Sequence, residues 1–296
     1  MNGEALLKGK RFALPDGRKL GYCVVGKGKT VLYFHGTASS RLEVLLLEKF
    51  AFANRLRIIG VDRPGFGLST FRPMKSLRDF TCDVDLLVEH LQLDQVAVLG
   101  WSGGGAFALA YVALFPERVS RAVVVSTPAL PFDVATAHNN SLARFAMKLP
   151  FLGRLALRSM RAQVLKANAD IDAFLASKEG KKVLGGWSAE DAKFFSDRAW
   201  VSLLYGAMAE AFRQGKQGVK AVLQEHALFM KPWNVPLSRI PLGRVIVWQG
   251  AEDKTCRVDN AFRLAREVPD AHVEVFQGKG HCVMFDNLEK LGELFS

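Results

Sequence analysis

The chain has 296 residues, 49% of them hydrophobic and 23% charged, which is enough to bury a substantial core and is ordinary for a globular protein. Its net charge of +11 is spread among acidic residues, apart from Lys178-Glu-Gly-Lys-Lys182, so a nucleic-acid partner is not expected. No apolar run approaches the roughly 18 residues of a membrane span, and the first residues lack the apolar stretch of a signal peptide, so a cytoplasmic address is expected by default.

Residues 11–14 and 19–25 read as two strands around the turn Pro15-Asp-Gly17, and 31–34 as a buried strand after the polar stretch 26–29. Strands then alternate with helical segments. A helix is expected within 41–53, a strand over 57–61, a helix over 77–91, a strand over 95–99, a helix over 104–114 and a strand over 121–126. Short Val, Ile and Leu runs separated by amphipathic stretches indicate βαβ units, hence a mostly parallel sheet with helices on both faces.

After Thr127-Pro128 the alternation stops. Residues 129–237 carry helical periodicity, and the strand pattern resumes at 245–248, followed by a helix over 258–268, a strand over 272–276 and a helix near 287–295. The simplest organisation is one core, 1–128 with 238–296, interrupted by a helical cap at 129–237. Between Pro128 and Arg239 stand 16 Lys and Arg against 9 Asp and Glu, so most of the positive charge falls on this insertion.

The stretch Gly100-Trp-Ser102-Gly-Gly104 matches G-x-S-x-G and falls where a strand hands over to a helix. A serine on so sharp a turn has a strained backbone crowded by strand and helix, so its neighbours must lack Cβ atoms. The same junction puts Ser102 at a helix N-terminus, where free N–H groups favour developing negative charge, and the Gly103 N–H would form half of an oxyanion hole. The loop Phe34-His-Gly-Thr-Ala38 follows an earlier strand, and the Thr37 N–H is assigned the other half. His35 and Gly36 read as turn-forming residues.

A hydroxyl is a poor nucleophile until a base takes its proton, and the base is held in one tautomer by an acid. His281, in the loop Gly278-Lys-Gly-His281 after the last strand, is the base expected here; histidines 90, 138, 226 and 272 fall on helices, in the cap or at a strand start. Asp253, in Gly250-Ala-Glu-Asp253 after the strand at 245–248, is the acid, with Glu252 its neighbouring competitor and Asp133 a more distant one. No Cys or His spacing suits a metal site or a disulfide, and neither a metal nor a cofactor is expected. The P-loop-like Val25-Gly-Lys-Gly-Lys-Thr30 has Cys23 where that motif needs glycine and a strand where it needs a helix.

The chain order Ser102, Asp253, His281 and the segments Tyr33-Phe-His-Gly-Thr37, Val61-Asp-Arg-Pro-Gly-Phe-Gly-Leu-Ser69, Gly100-Trp-Ser-Gly-Gly-Gly105, Gln249-Gly-Ala-Glu-Asp253 and Gly278-Lys-Gly-His281 resemble the capped α/β-hydrolases. That resemblance implies an eight-stranded sheet with the cap inserted before the penultimate strand, and an acyl-enzyme on Ser102 formed from a small carboxylic ester. Prolyl aminopeptidase, lactonase or C–C bond hydrolase chemistry on the same three residues is an alternative, and so is a ligand-binding member without catalysis. The family's early loop often reads His-Gly-x-Pro, whereas this chain has Ala38. Cap aromatics suggest an apolar pocket wall; Trp101, Trp187, Trp200 and Trp233 are the candidate substrate contacts, and Phe145, Phe151, Phe194, Phe195, Phe212 and Phe229 share the pattern.

Overall fold

The computed structural model describes residues 9–132 and 150–296, the side chains of 150–152 excepted. Asp133, His138 and Phe145, and the side chain of Phe151, lie outside the described residues.

Eight strands form one sheet: β1 (Lys10–Ala13), β2 (Lys19–Gly26), β3 (Lys29–Phe34), β4 (Leu56–Val61), β5 (Val96–Trp101), β6 (Val119–Val125), β7 (Val245–Gly250) and β8 (His272–Phe276), in the order β1-β2-β4-β3-β5-β6-β7-β8. β1 and β2 make an antiparallel hairpin, β2 pairs antiparallel with β4, and every pairing from β4 to β8 is parallel. The hairpin turns at Gly17, whose φ of +83° suits glycine. The central parallel strands are largely apolar because both faces are covered, whereas the edge strand β8 has no fully buried residue. Along β3, Leu32 and Phe34 join one core layer while Val31 and Tyr33 join the other. β6 divides likewise, with Ala122 and Val124 on the first face and Val123 and Val125 on the second.

The first face is covered by α2 (Leu77–His90) and α3 (Gly103–Leu114); α3 is buried from Gly103 through Ala113, so it is apolar all round rather than amphipathic. The second carries a 3₁₀ segment, Arg41–Leu47, running into the short α1 (Glu48–Ala53). Here the expected single helix over 41–53 is tightened, and its first half buries Arg41 and Glu43 along with Leu42, Val44 and Leu47. Both charges are used: Arg41 pairs with buried Asp62, and Glu43 accepts from Tyr33 and Gly36.

Between β6 and β7 the described residues form α4 (Pro150–Ala169), α5 (Ile171–Ala176), α6 (Lys178–Leu184), α7 (Ala189–Ala192), α8 (Arg198–Ala211) and α9 (Lys216–Phe229). Their apolar residues, among them Phe174, Val201, Leu204, Phe212 and Val222, pack with the second layer. Polar bonds tie them to the core as well. Gln214 Nε2 donates to the carbonyls of Gly67 (3.1 Å) and Ser69 (2.6 Å), Ser40 Oγ to that of Ala207 (2.8 Å), and Arg41 to Glu210 (2.8 Å). The chain ends with α10 (Asp259–Glu267) before β8, then α11 (Val283–Asp286) and α12 (Leu288–Phe295). Among the described residues no helix is long and apolar enough to cross a membrane.

Candidate active site

β5 runs to Trp101, and α3 starts two residues later. Ser102 between them has φ +53° and ψ −130°, a conformation that costs a side-chain-bearing residue energy and persists only where the surroundings impose it. The imposition is visible in its neighbours: a Cβ on Gly104 would lie 1.9 Å from the Phe34 carbonyl oxygen, and one on Gly103 would lie 2.2 Å from Thr37 Oγ1. Ser102 N donates to Val125 O (2.8 Å), which fixes the turn to the neighbouring strand.

The contact at Gly103 brings the loop after β3 against the start of α3, and a Cβ on Gly36 would stand 3.7 Å from that of Ser102. This loop is held rigidly. Arg63 donates to the carbonyls of His35 (2.6 Å) and Gly36 (2.8 Å), while Glu43 accepts from the Gly36 N–H (2.8 Å) and Tyr33 Oη (2.7 Å). Arg63 in turn pairs with Glu225 of α9 at 2.5 Å, both side chains wholly buried. Burial and the Arg63 charge push the His35 imidazole well below its usual range, so it stays neutral. Ala38 has φ +55°. Proline, locked near −65°, cannot occupy that conformation, which accounts for the absence of proline at the fourth position of His35-Gly-Thr-Ala38.

His281 follows β8 in a Gly-rich turn, and its ring Nδ1 lies 2.8 Å from Asp253 Oδ2. Asp253 follows β7, and its other oxygen accepts from the backbone N–H groups of Thr255 (2.7 Å) and Cys256 (2.9 Å), which set the carboxylate's orientation. The backbone of His281 is held too: its carbonyl accepts from Trp101 Nε1 (3.1 Å) and Ser126 Oγ (2.9 Å), and its N–H donates to Asp191 Oδ2 (2.9 Å). With Nδ1 engaged, Nε2 is the ring nitrogen left to serve a hydroxyl. No hydrogen bond joins Ser102 Oγ to His281 among the described residues, and such bonds commonly tighten only when substrate is present. Burial disfavours the charged imidazole, but the carboxylates of Asp253, Asp191 and Glu43 outweigh it and raise the pKa of His281 above the ordinary histidine value. Cys282 is fully buried, and burial pushes its thiol well above the usual range, so it remains an unreactive thiol.

Of the four candidate tryptophans, Trp101 and Trp187 have rings 5.6 and 5.9 Å from the His281 imidazole. Trp200 is one ring removed: it packs on Phe285, which packs on Trp101. Trp233 lies in the other core layer with Leu228 and Phe229, and among the described residues no ring contact joins it to His281. Glu252, the competing acid, is not the partner of the ring; Asp253 is.

Arg63 falls in the segment 61–69 that carries the resemblance, whereas Asp191, Glu43 and Glu225 are not marked by any motif. Glu43 had a signal: it is the one charge within the apolar run Leu42-Glu-Val-Leu-Leu-Leu47.

A strained serine at the C-terminal edge of a doubly covered parallel sheet, facing loops from three other strands, defines a hydrolase-type α/β architecture. The family profile described as alpha/beta hydrolase fold matches residues 29–288, and the chain belongs to that family. An uncharacterized hydrolase, YcgS, of Bacillus subtilis is 33% identical over 109 residues, 36% of this chain and 37% of that protein, so the match spans little more than a third of the relative's length. The cis-3-alkyl-4-alkyloxetan-2-one decarboxylase of Shewanella oneidensis is 29% identical over 96% of this chain and 86% of its own. Among solved structures, the esterase EaEST from Exiguobacterium antarcticum superposes with a TM-score of 0.66 at 18% identity, covering 97% of each chain, a likeness of fold.

Proposed function

We propose that the protein hydrolyses small carboxylic esters through an acyl-enzyme. Ser102 is the nucleophile, His281 its base, Asp253 the acid that holds the imidazole tautomer, and the N–H groups of Thr37 and Gly103 receive the oxyanion. The observation that carries this reading is the 2.8 Å bond that Asp253 accepts from His281 Nδ1, at the sheet edge where Ser102 is held at positive φ. Ser102 Oγ attacks the ester carbonyl as its proton passes to Nε2. The imidazolium then protonates the departing alcohol, and a water deprotonated by the same nitrogen releases the acid and restores the serine.

The residues of 129–237 act as a cap that selects substrate, with Trp187 beside the imidazole as an apolar contact. Its excess of basic residues favours neutral or anionic esters over peptides with a free amino terminus. The test is turnover of p-nitrophenyl acetate and labelling by a fluorophosphonate: the parent chain reacts in both, and Ser102→Ala, folded by circular dichroism, reacts in neither. Turnover by that variant at the parent rate would overturn the assignment.

A further inference from the structure

The loop that carries His281 is fastened by a residue of the helical insertion. Each oxygen of the Asp191 carboxylate, at the end of the short turn Ser188-Ala-Glu-Asp191, takes one of two successive backbone N–H groups: Oδ2 accepts from His281 (2.9 Å) and Oδ1 from Cys282 (2.8 Å). Ser188 Oγ donates to Oδ2 (2.8 Å) and accepts from the Asp191 N–H (3.1 Å), which fixes the carboxylate from its own side. Both side chains are buried, at 2% exposure each. The fit leaves no slack, since a Cβ on Gly280 would lie 2.2 Å from Asp191 Oδ2 and 2.4 Å from Ser188 Oγ.

A buried carboxylate is expensive unless its lone pairs are used, and here three donors use them. An apolar side chain in the same space would leave the His281 and Cys282 amides buried without an acceptor, so the carboxylate is what fixes this stretch of backbone. We infer that Asp191 is a positioning residue of the reaction: it sets the backbone of His281 so that the imidazole, pinned at Nδ1 by Asp253, presents Nε2 to Ser102. This rests on the esterase reading above. The carboxylates facing His281 are Asp253 from the loop after β7, Asp191 from the insertion and Glu43 from the 3₁₀ segment, and Trp101 and Trp187 supply the apolar walls. Asp191 therefore acts in two ways, by geometry and by favouring the imidazolium that forms while the serine is attacking.

The decisive variant is Asp191→Asn, equal in shape but with one oxygen acceptor where the carboxylate has two. With p-nitrophenyl acetate, kcat is expected to fall roughly a hundredfold with KM within about twofold, because a small misplacement of a reacting group costs that much. The acid limb of the kcat/KM profile is expected to move to lower pH, a change that loosened packing alone would not produce. A folded D191N chain with the parent kcat and the parent acid limb overturns the proposal. Should D191N fail to fold, amide hydrogen exchange in the unaltered chain decides: the His281 and Cys282 amides must open together with residues 189–192, and fast exchange at 281 and 282 beneath a protected 189–192 segment refutes the clamp. The two ideas fail differently. A parent chain inert to the fluorophosphonate sinks the esterase reading and this one with it, whereas a reactive parent matched by D191N sinks only the role of Asp191.

Discussion

The pairing of Arg63 with Glu225 allows stability and chemistry to be separated. Both groups are fully buried, the guanidinium has two bonds to Glu225 (2.5 and 3.1 Å), and it also serves the carbonyls of His35 and Gly36. Glu225→Gln keeps the volume but leaves a buried cation without its counter-ion. Removing one partner of such a pair costs about 3–5 kcal/mol, a large share of the roughly 5–15 kcal/mol that holds a domain together. In E225Q the two carbonyl bonds survive, so the loop after β3 keeps its shape and, on the proposed mechanism, kcat below the melting range should stay within about threefold of the parent. Arg63→Met costs a similar amount by the opposite route, stranding a carboxylate and two buried carbonyls at about 1–3 kcal/mol for each carbonyl. It also frees the loop, and kcat should fall roughly a hundredfold. Urea unfolding followed by tryptophan fluorescence gives the stabilities, and p-nitrophenyl acetate turnover at a temperature where both variants are folded gives the rates. An E225Q chain within 1 kcal/mol of the parent, or one as slow as R63M, would refute the reasoning.

The raised pKa of His281 places the acid limb of kcat/KM above about pH 6.5, because the base must be neutral to accept a proton and activity is lost as pH falls through the raised value; a limb at or below that pH in a profile on p-nitrophenyl acetate would contradict it. Gly104→Ala drives a methyl to 1.9 Å from the Phe34 carbonyl oxygen, where only backbone can yield, and should cost about 3 kcal/mol or more in urea unfolding. Ala38→Pro demands a φ that the loop lacks and should abolish esterase turnover, while Ala38→Gly should keep it. Comparison of kcat/KM for p-nitrophenyl acetate and proline β-naphthylamide should favour the ester by orders of magnitude; equal values would count against the basic cap as a selector.

The architecture was legible because its signals are local. Short apolar runs such as Val31 to Phe34 carry the strands, and glycines beside Ser102 mark a junction that admits little else. Ser102, Asp253 and His281 each follow a strand by a few residues, so topology alone delivers them to one edge. What escaped depends on pairings across long separations. Asp191 meets the His281 backbone 90 residues away and Arg63 meets Glu225 across 162, and in sequence Ser188-Ala-Glu-Asp191 is an ordinary helix start. The tryptophans illustrate the same limit: helical spacing says that Trp187, Trp200 and Trp233 are turned inward but not toward what, and of these only Trp187 meets the imidazole.

Because the segment between β6 and β7 sends Asp191 to the His281 backbone and Glu225 to the Arg63 that holds the loop after β3, it is not an interchangeable insertion. A chimaera that grafts a relative's segment onto this core would inherit new walls yet lose two foundations, and its rate would suffer before its selectivity could be compared. Successful swaps would have to transplant the wall-lining residues alone, leaving both acidic posts standing.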